Sequence, residues 1–206
     1  VKRFKSLVVL VFAILTLSLN SLSYAARVGD PAPDFAGITS HGKTIKLSDL
    51  KGKWVVLEWH NPECPFVQSQ YKGKMQKLQA KWTQKGVKWF SVISYAEGLM
   101  TAGKANADAK IHHSNVTATL LDSNGIIGRA YDAKTTPHMF VINPQGILIY
   151  NGAIDNAPRR DKVVAKITDD VPFVNYVDQA LKQGFAGKTV SVPTAHPYGC
   201  YVEYPK

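Results

Sequence analysis

Strands and helices alternate along this chain and then give way to a hairpin and a closing helix. That order predicts an α/β fold, a central mixed β-sheet flanked by helices. Three observations carry the prediction. Residues 54–59, Trp-Val-Val-Leu-Glu-Trp, are β-rich and almost wholly apolar, the pattern of a strand buried on both faces. Val67, Tyr71, Met75, Leu78 and Trp82 recur at spacings of four, four, three and four, the apolar stripe of an amphipathic helix. Residues 139–150 read as strand, turn and strand, with Asn143-Pro144-Gln145-Gly146 at the bend.

The remaining elements follow in chain order. Lys2, Arg3 and Lys5 precede an apolar run over residues 7–19, and small residues stand at Ser23 and Ala25. That is the layout of a secretory signal peptide over residues 1–25, cleaved after Ala25. The apolar run is shorter than the roughly 20 residues a bilayer-spanning helix requires, so no stable membrane insertion is expected after cleavage. Residues 29–35 open the mature chain in extended form, because Pro31 and Pro33 forbid a regular helix. A short strand is expected at 44–47, the central strand at 54–59, and one helix from Val67 to Trp82, stopped by Gly86. Then come a strand at 87–93, a helix over 99–110, a strand at 117–121 and a short helix at 125–131. After the hairpin, residues 173–181 form the last helix, and an irregular tail from Gly184 holds Pro193, Pro197 and Cys200.

The charge balance excludes little by itself. Losing Lys2, Arg3 and Lys5 lowers the formal net charge from +10 to +7. Lys72, Lys74, Lys77, Lys81 and Lys85 lie along the amphipathic helix, where a solvated face accounts for them, and no recognition motif points to nucleic acid. Neither a Gly-rich phosphate loop nor a dinucleotide fingerprint is present, so no organic cofactor is implied.

The chemistry rests on two cysteines, Cys64 and Cys200, which allow a single intrachain pairing in an oxidising compartment. Cys64 stands between the buried strand and the amphipathic helix, where unpaired backbone N–H groups and the helix dipole favour a thiolate. Pro65 suits the first helical turn, Glu63 opposes the thiolate, and His60 acts according to its protonation. A buried, inert cysteine satisfies the same position. Cys200 reads equally as a partner that resolves an intermediate on Cys64 or as one end of a permanent staple.

Further residues carry a family resemblance. They are Cys64-Pro65 after a strand, Thr136-Pro137 before the hairpin, Gly152-Ala153-Ile154-Asp155 at its end, residues 28–35 and 47–53, and a terminal Pro197-Tyr198-Gly199-Cys200. Together they resemble the redoxins, the alkyl hydroperoxide reductase/thiol-specific antioxidant (peroxiredoxin-like) branch of the thioredoxin-like superfamily, and above all a bacterial subgroup. The resemblance implies a thioredoxin-like domain at 26–184 with a tail at 185–206, Cys64 as attacking thiolate and Cys200 as resolving thiol. It also implies a cis peptide before Pro137 facing Cys64, and His138 close enough to act on Cys64 as donor or base. Peroxide or a protein or small-molecule disulfide would be the substrate, an external thiol the reductant, and the bacterial periplasm the compartment. Two departures stand out. In the Cys-x-x-Cys pattern of thioredoxin, Asn61 takes the first position and Cys64 the second; the proline and threonine that precede the reactive cysteine of peroxiredoxins are here Leu57 and Asn61.

Two other readings remain. The domain is non-enzymatic with a structural Cys64–Cys200 disulfide, or Cys64 joins some of His60, His112, His113, His138 and His196 in a copper or zinc site. The histidines lack compact ligand spacing, so no metal is expected.

Overall fold

A computed structural model describes residues 25–95, 98, 100–157 and 172–205; the expected leader, all but Ala25, lies outside the described residues. In chain order the elements are β1 (Ala36–Thr39), β2 (Thr44–Lys46), β3 (Val55–Trp59), α1 (Pro65–Gln70), α2 (Lys74–Thr83), β4 (Lys88–Ile93) and α3 (Ala102–Ile111). They continue with β5 (Ala118–Leu121), α4 (Ile126–Tyr131), β6 (Thr135–Thr136), β7 (His138–Ile142), β8 (Leu148–Gly152), α5 (Tyr176–Phe185) and β9 (Cys200–Tyr201). Among the described residues, seven strands form one mixed sheet in the order β2-β1-β5-β4-β3-β7-β8. β3, β4 and β5 run parallel, and the other pairings are antiparallel.

β3 is central and fully buried because its residues are apolar on both faces. Val56 packs with Met75, Leu78 and Trp82 of α2 and with Val177 and Leu181 of α5. Val55, Leu57 and Trp59 point the other way, into a layer with Phe35, Phe140 and the α4 residues Ile127 and Tyr131. The C-terminal end of β3 therefore delivers the chain to Cys64 from a support fixed on two sides.

The single helix expected from Val67 to Trp82 is two. α1 stops at Gln70, and Gly73 takes φ 100°, a left-handed conformation, before α2 begins. Gln76 closes this turn, its side chain accepting from Gly73 N at 3.0 Å and donating to Tyr71 O. The apolar stripe survives the break, since Tyr71 and Met75 both remain in the core, which is why periodicity alone reads straight through it. The last helix also starts later than expected. The Asn175 side chain accepts from Asp178 N at 2.8 Å and fixes the start of α5 at Tyr176, leaving Phe173 outside and exposed.

The tail is mostly irregular but is fastened along its length. Asn151 N donates to Pro193 O at 3.1 Å, β9 pairs antiparallel with β6, Val202 N donates to Lys134 O at 3.0 Å, and Tyr204 Oη to Ala133 O at 2.7 Å. Gly199 permits the closest approach: a Cβ there would lie 2.0 Å from Thr136 O. Gly199→Ala is therefore expected to destabilise the docked tail by roughly 1–3 kcal/mol while leaving the sheet intact. Hydrogen exchange checks this, with a faster Val202 amide and unchanged amides in β3 and β4.

Candidate active site

The turn after β3 is shaped by Asn61. Its Oδ1 accepts from Glu63 N at 2.8 Å, its backbone carbonyl accepts from Cys64 N at 3.1 Å, and its Nδ2 donates to Tyr95 Oη at 2.6 Å. These bonds set Cys64 as the extended N-cap of α1 with Pro65 in the first helical position. Asn61 thus belongs to the turn, outside the helix. A second thiol three residues downstream would stand at Val67, buried in the first helical turn, so the missing partner position is Val67 as much as Asn61. The partner comes instead from the far end of the chain.

Cys200 sits opposite Thr136 in the β6–β9 pairing, directly beside Cys64. Both cysteines are free thiols; Cys64 is buried at 1% exposure and Cys200 is half-buried. Cys64 Sγ donates to Thr136 O at 3.0 Å, across the cis Thr136–Pro137 peptide bond's own carbonyl. The two thiols differ in acidity. Burial opposes the Cys64 thiolate, but the neighbouring Cys200 and Thr136 side chains and the backbone N–H groups of Val67 and Cys200 favour it, and the balance lies below an ordinary thiol. Among the described residues the buried Thr136 hydroxyl has no hydrogen-bond partner. Burial raises Cys200, and the hydrogen bond and charge of Cys64 raise it further, with Glu203 adding to the effect, to about 11. The two neighbouring sulfurs therefore differ in acidity, Cys64 the more acidic and Cys200 the less. Since α1 has six residues, the thiolate is supported by these particular groups rather than by the dipole of a long helix.

His138 lies elsewhere than the resemblance implies. Its Nδ1 accepts from Lys134 N at 3.0 Å and its Nε2 donates to Asn151 Oδ1 at 2.7 Å, so both ring nitrogens are engaged away from Cys64. Burial holds its pKa down to about 4, the Asn151 bond notwithstanding, and the ring packs neutral against Phe140. It ties β7 to β8 and to the segment carrying Thr136. Among the described residues no group of three or more His, Cys, Asp or Glu side chains is arranged to hold a metal ion.

A charged network that sequence reasoning missed lies under α1 and α2. Glu58, fully buried on β3, accepts from Tyr71 Oη at 2.7 Å, Trp89 Nε1 at 2.7 Å and Gln79 Nε2 at 2.9 Å. Next to it, His60 donates from Nε2 to Asp108 Oδ2 at 2.8 Å and places Nδ1 3.7 Å from Glu58. Burial alone would lower the His60 pKa, but the two carboxylates raise it to about 9, so the ring is an imidazolium at neutral pH. Asp108, despite burial, is held below the usual carboxylate range by His60 and His112. The only sequence hint was Glu58 itself, one acid inside an apolar strand.

Comparison with known proteins agrees with this geometry. The family model described as "AhpC/TSA family" matches residues 28–151, a segment that contains Cys64 and Pro137 and ends before Cys200. Thiol-disulfide oxidoreductase ResA of Bacillus subtilis (strain 168) is 31% identical over 129 residues, covering 59% of this chain and 64% of that protein. The chain thus spans less than two thirds of that relative's length. Thiol-disulfide oxidoreductase ResA of Oceanobacillus iheyensis is 28% identical over 177 residues, 80% of this chain and 83% of that protein. The thioredoxin domain of a thiol-disulfide oxidoreductase from Bacteroides vulgatus has a TM-score of 0.51 at 18% identity, covering 72% of this chain and 100% of that one. The fold is thioredoxin-like.

The two buried histidines give stability opposite pH dependences. His60 binds its proton more tightly when folded, so its contribution is complete below pH 6.5 and is lost as pH rises through about 9. His138 binds its proton less tightly when folded, so its contribution is complete above pH 6.5 and is lost as pH falls through about 4. Urea unfolding from pH 4 to 9.5 is expected to show an alkaline decline that His60→Gln removes, on the order of 3 kcal/mol. His138→Gln should remove part of the acid decline and leave the alkaline one.

Proposed function

Because the chain belongs to the AhpC/TSA family, we propose that it is an exported thiol-disulfide oxidoreductase in which Cys64 attacks and Cys200 resolves. The observation that carries this reading is the pairing of an acidic Cys64 with a less acidic Cys200 against the Thr136–Pro137 edge. The names of the Bacillus and Oceanobacillus relatives support the reaction class. Export rests on the leader at residues 1–25, with the periplasm as destination; no helix among the described residues is long and apolar enough to cross a membrane.

The reaction runs in two exchanges. The Cys64 thiolate attacks one sulfur of a substrate disulfide, forms a mixed disulfide and releases the other half as a thiolate. Cys64 is then uncharged, and its two contributions to the high Cys200 pKa, the hydrogen bond and the charge, disappear together. Cys200 gives up its proton to the first departing thiolate and attacks the Cys64 sulfur; the bond between Cys64 and the substrate breaks, the second half of the substrate leaves as a thiolate, and the Cys64–Cys200 disulfide closes. The substrate has gained two electrons and the pair has lost them; an external thiol returns them. Since Cys64 is 1% exposed beneath the tail, the tail must lift for a substrate to reach it.

Asn61, Pro65 and Thr136 hold this arrangement, the first through the turn, the second at the helix start, the third through its carbonyl. Pro137 fixes the edge on which Cys200 lies, and His138 supports it from behind through Lys134 and Asn151. Peroxide is the second electrophile, favoured by the family match: attack would leave a sulfenic acid on Cys64, which Cys200 would condense to the same disulfide with loss of water.

With a disulfide-bonded peptide, Cys200→Ser is expected to accumulate a mixed disulfide on Cys64, and Cys64→Ser to form none, as mass mapping would show. Ultraviolet titration of the thiolate should place Cys64 below the roughly 8.5 of a free thiol. A Cys200 that ionises first or captures the peptide in Cys64→Ser would reverse the two roles. Hydrogen peroxide given to Cys200→Ser separates the electrophiles, since sulfenic acid on Cys64 appears only if peroxide is a substrate.

A further inference from the structure

The tail is fixed near the redox pair at a second point that the reaction scheme does not use. Tyr198, two residues before Cys200, donates its hydroxyl to Asp155 Oδ1. Gln70 donates through Nε2 to Asp155 Oδ2 at 2.9 Å and to Tyr198 Oη at 3.1 Å. Asp155 is 2% exposed and Gln70 5%, while Tyr198 is half-buried, so the tyrosine hydroxyl meets two buried polar side chains. Burial and the Asp155 carboxylate raise the Tyr198 pKa, which keeps the proton on its hydroxyl for donation. The ring also meets Phe66 edge-on at 6.0 Å.

The position of this set matters more than its strength. Gln70 ends α1, the helix that Cys64 caps. Two short segments, Cys64 to Gln70 and Tyr198 to Cys200, therefore meet at both ends: the two neighbouring thiols at one, Gln70–Asp155–Tyr198 at the other. The backbone of the tail is held upstream at Ala195, which bonds Asn151 and Ala153, and downstream at Val202, which bonds Lys134; Tyr198 adds a side-chain anchor between them, about 6–7 Å from Cys200 along an extended chain. Asp155 and Tyr198 both lie beyond the segment matched to the family, residues 28–151.

We propose that Tyr198, held by Asp155 and Gln70, is the positioning residue that sets Cys200 against Cys64. This rests on the reading of the two cysteines as a reversible pair. The hydroxyl adds to the backbone bonds of the tail the one side-chain anchor nearest Cys200 on its N-terminal side, which raises the effective concentration of Cys200 at Cys64 so that the exchange closes on Cys64 rather than on an external thiol.

The test measures the fraction of Cys64–Cys200 disulfide in the full-length protein against a graded glutathione redox buffer. Tyr198→Phe, which removes only the hydroxyl, should favour the open dithiol about tenfold, raising the potential of the couple by about 30 mV. Asp155→Asn should act in the same direction, and the double variant should add little to either single one, because both break one bond set. Tyr201→Ala, at an 82% exposed side chain next to Cys200, should leave the equilibrium where it was. Circular dichroism at the assay temperature separates loss of position from loss of fold. An unchanged equilibrium in Tyr198→Phe, or fully additive effects in the double variant, overturns the latch while the redox pair stands. A wild-type pair that never exchanges with glutathione overturns the redox reading, and the latch with it.

Discussion

A buried sulfur is an acidic thiol only where other donors replace the water it has lost, and that requirement organises the site. Cys64 is enclosed by α1, by the Thr136–Pro137 edge and by the tail, and each of these three supplies a group that favours its thiolate. Val67 N–H comes from the helix, the Thr136 side chain from the edge, and the Cys200 thiol and N–H from the tail. Without the tail Cys64 would regain water and lose two of these groups. The same segment therefore covers the Cys64 sulfur and lowers its pKa, so accessibility and acidity exchange against each other as the tail moves.

That coupling explains how closely the tail is fitted. Gly199 brings its backbone against Thr136 at a distance no side chain permits, and Tyr198 is received by a buried carboxylate and amide. The bonds along residues 193–204 are individually modest, each worth about 1 kcal/mol net. Spread along an irregular segment, they allow it to open in parts without unfolding the sheet, whose central strand is locked by apolar packing on both faces.

Below the thiols, β3 carries a second polar investment in Glu58 and His60. A buried carboxylate is tolerable when its oxygens are filled by donors, and Tyr71, Gln79 and Trp89 fill those of Glu58. His60 then draws Asp108 of α3 onto the end of β3. This network ties α1, α2 and α3 to the strand that presents Cys64, so the support of the site is electrostatic as well as apolar. Breaking one partner would leave a charge without compensation, which costs more than the intact set contributes.

The residues that announced themselves were those with a local signature. The apolar run of β3, the period of the core-facing helix positions and the Asn-Pro-Gln-Gly bend each encode their structure within a few residues, so the layered α/β sheet was legible from sequence, as was Cys64 at a strand-to-helix junction. The interruption at Gly73 was not, because the stripe of buried residues continues across it and hides a left-handed turn. His138 was misjudged for a related reason: adjacency to Pro137 in sequence says nothing about where a ring points, and the hydrogen bonds of Lys134 and Asn151 turn it away from the sulfur. The acidity order of the thiols, the His60–Asp108 pair and the union of Gln70, Asp155 and Tyr198 join residues 43 to 136 positions apart. Local patterns set which segments become strands and helices and where a reactive thiol can stand. Which donors surround that thiol is decided only when distant segments meet, because hydrogen bonding and burial depend on distance in space and leave no period in the chain.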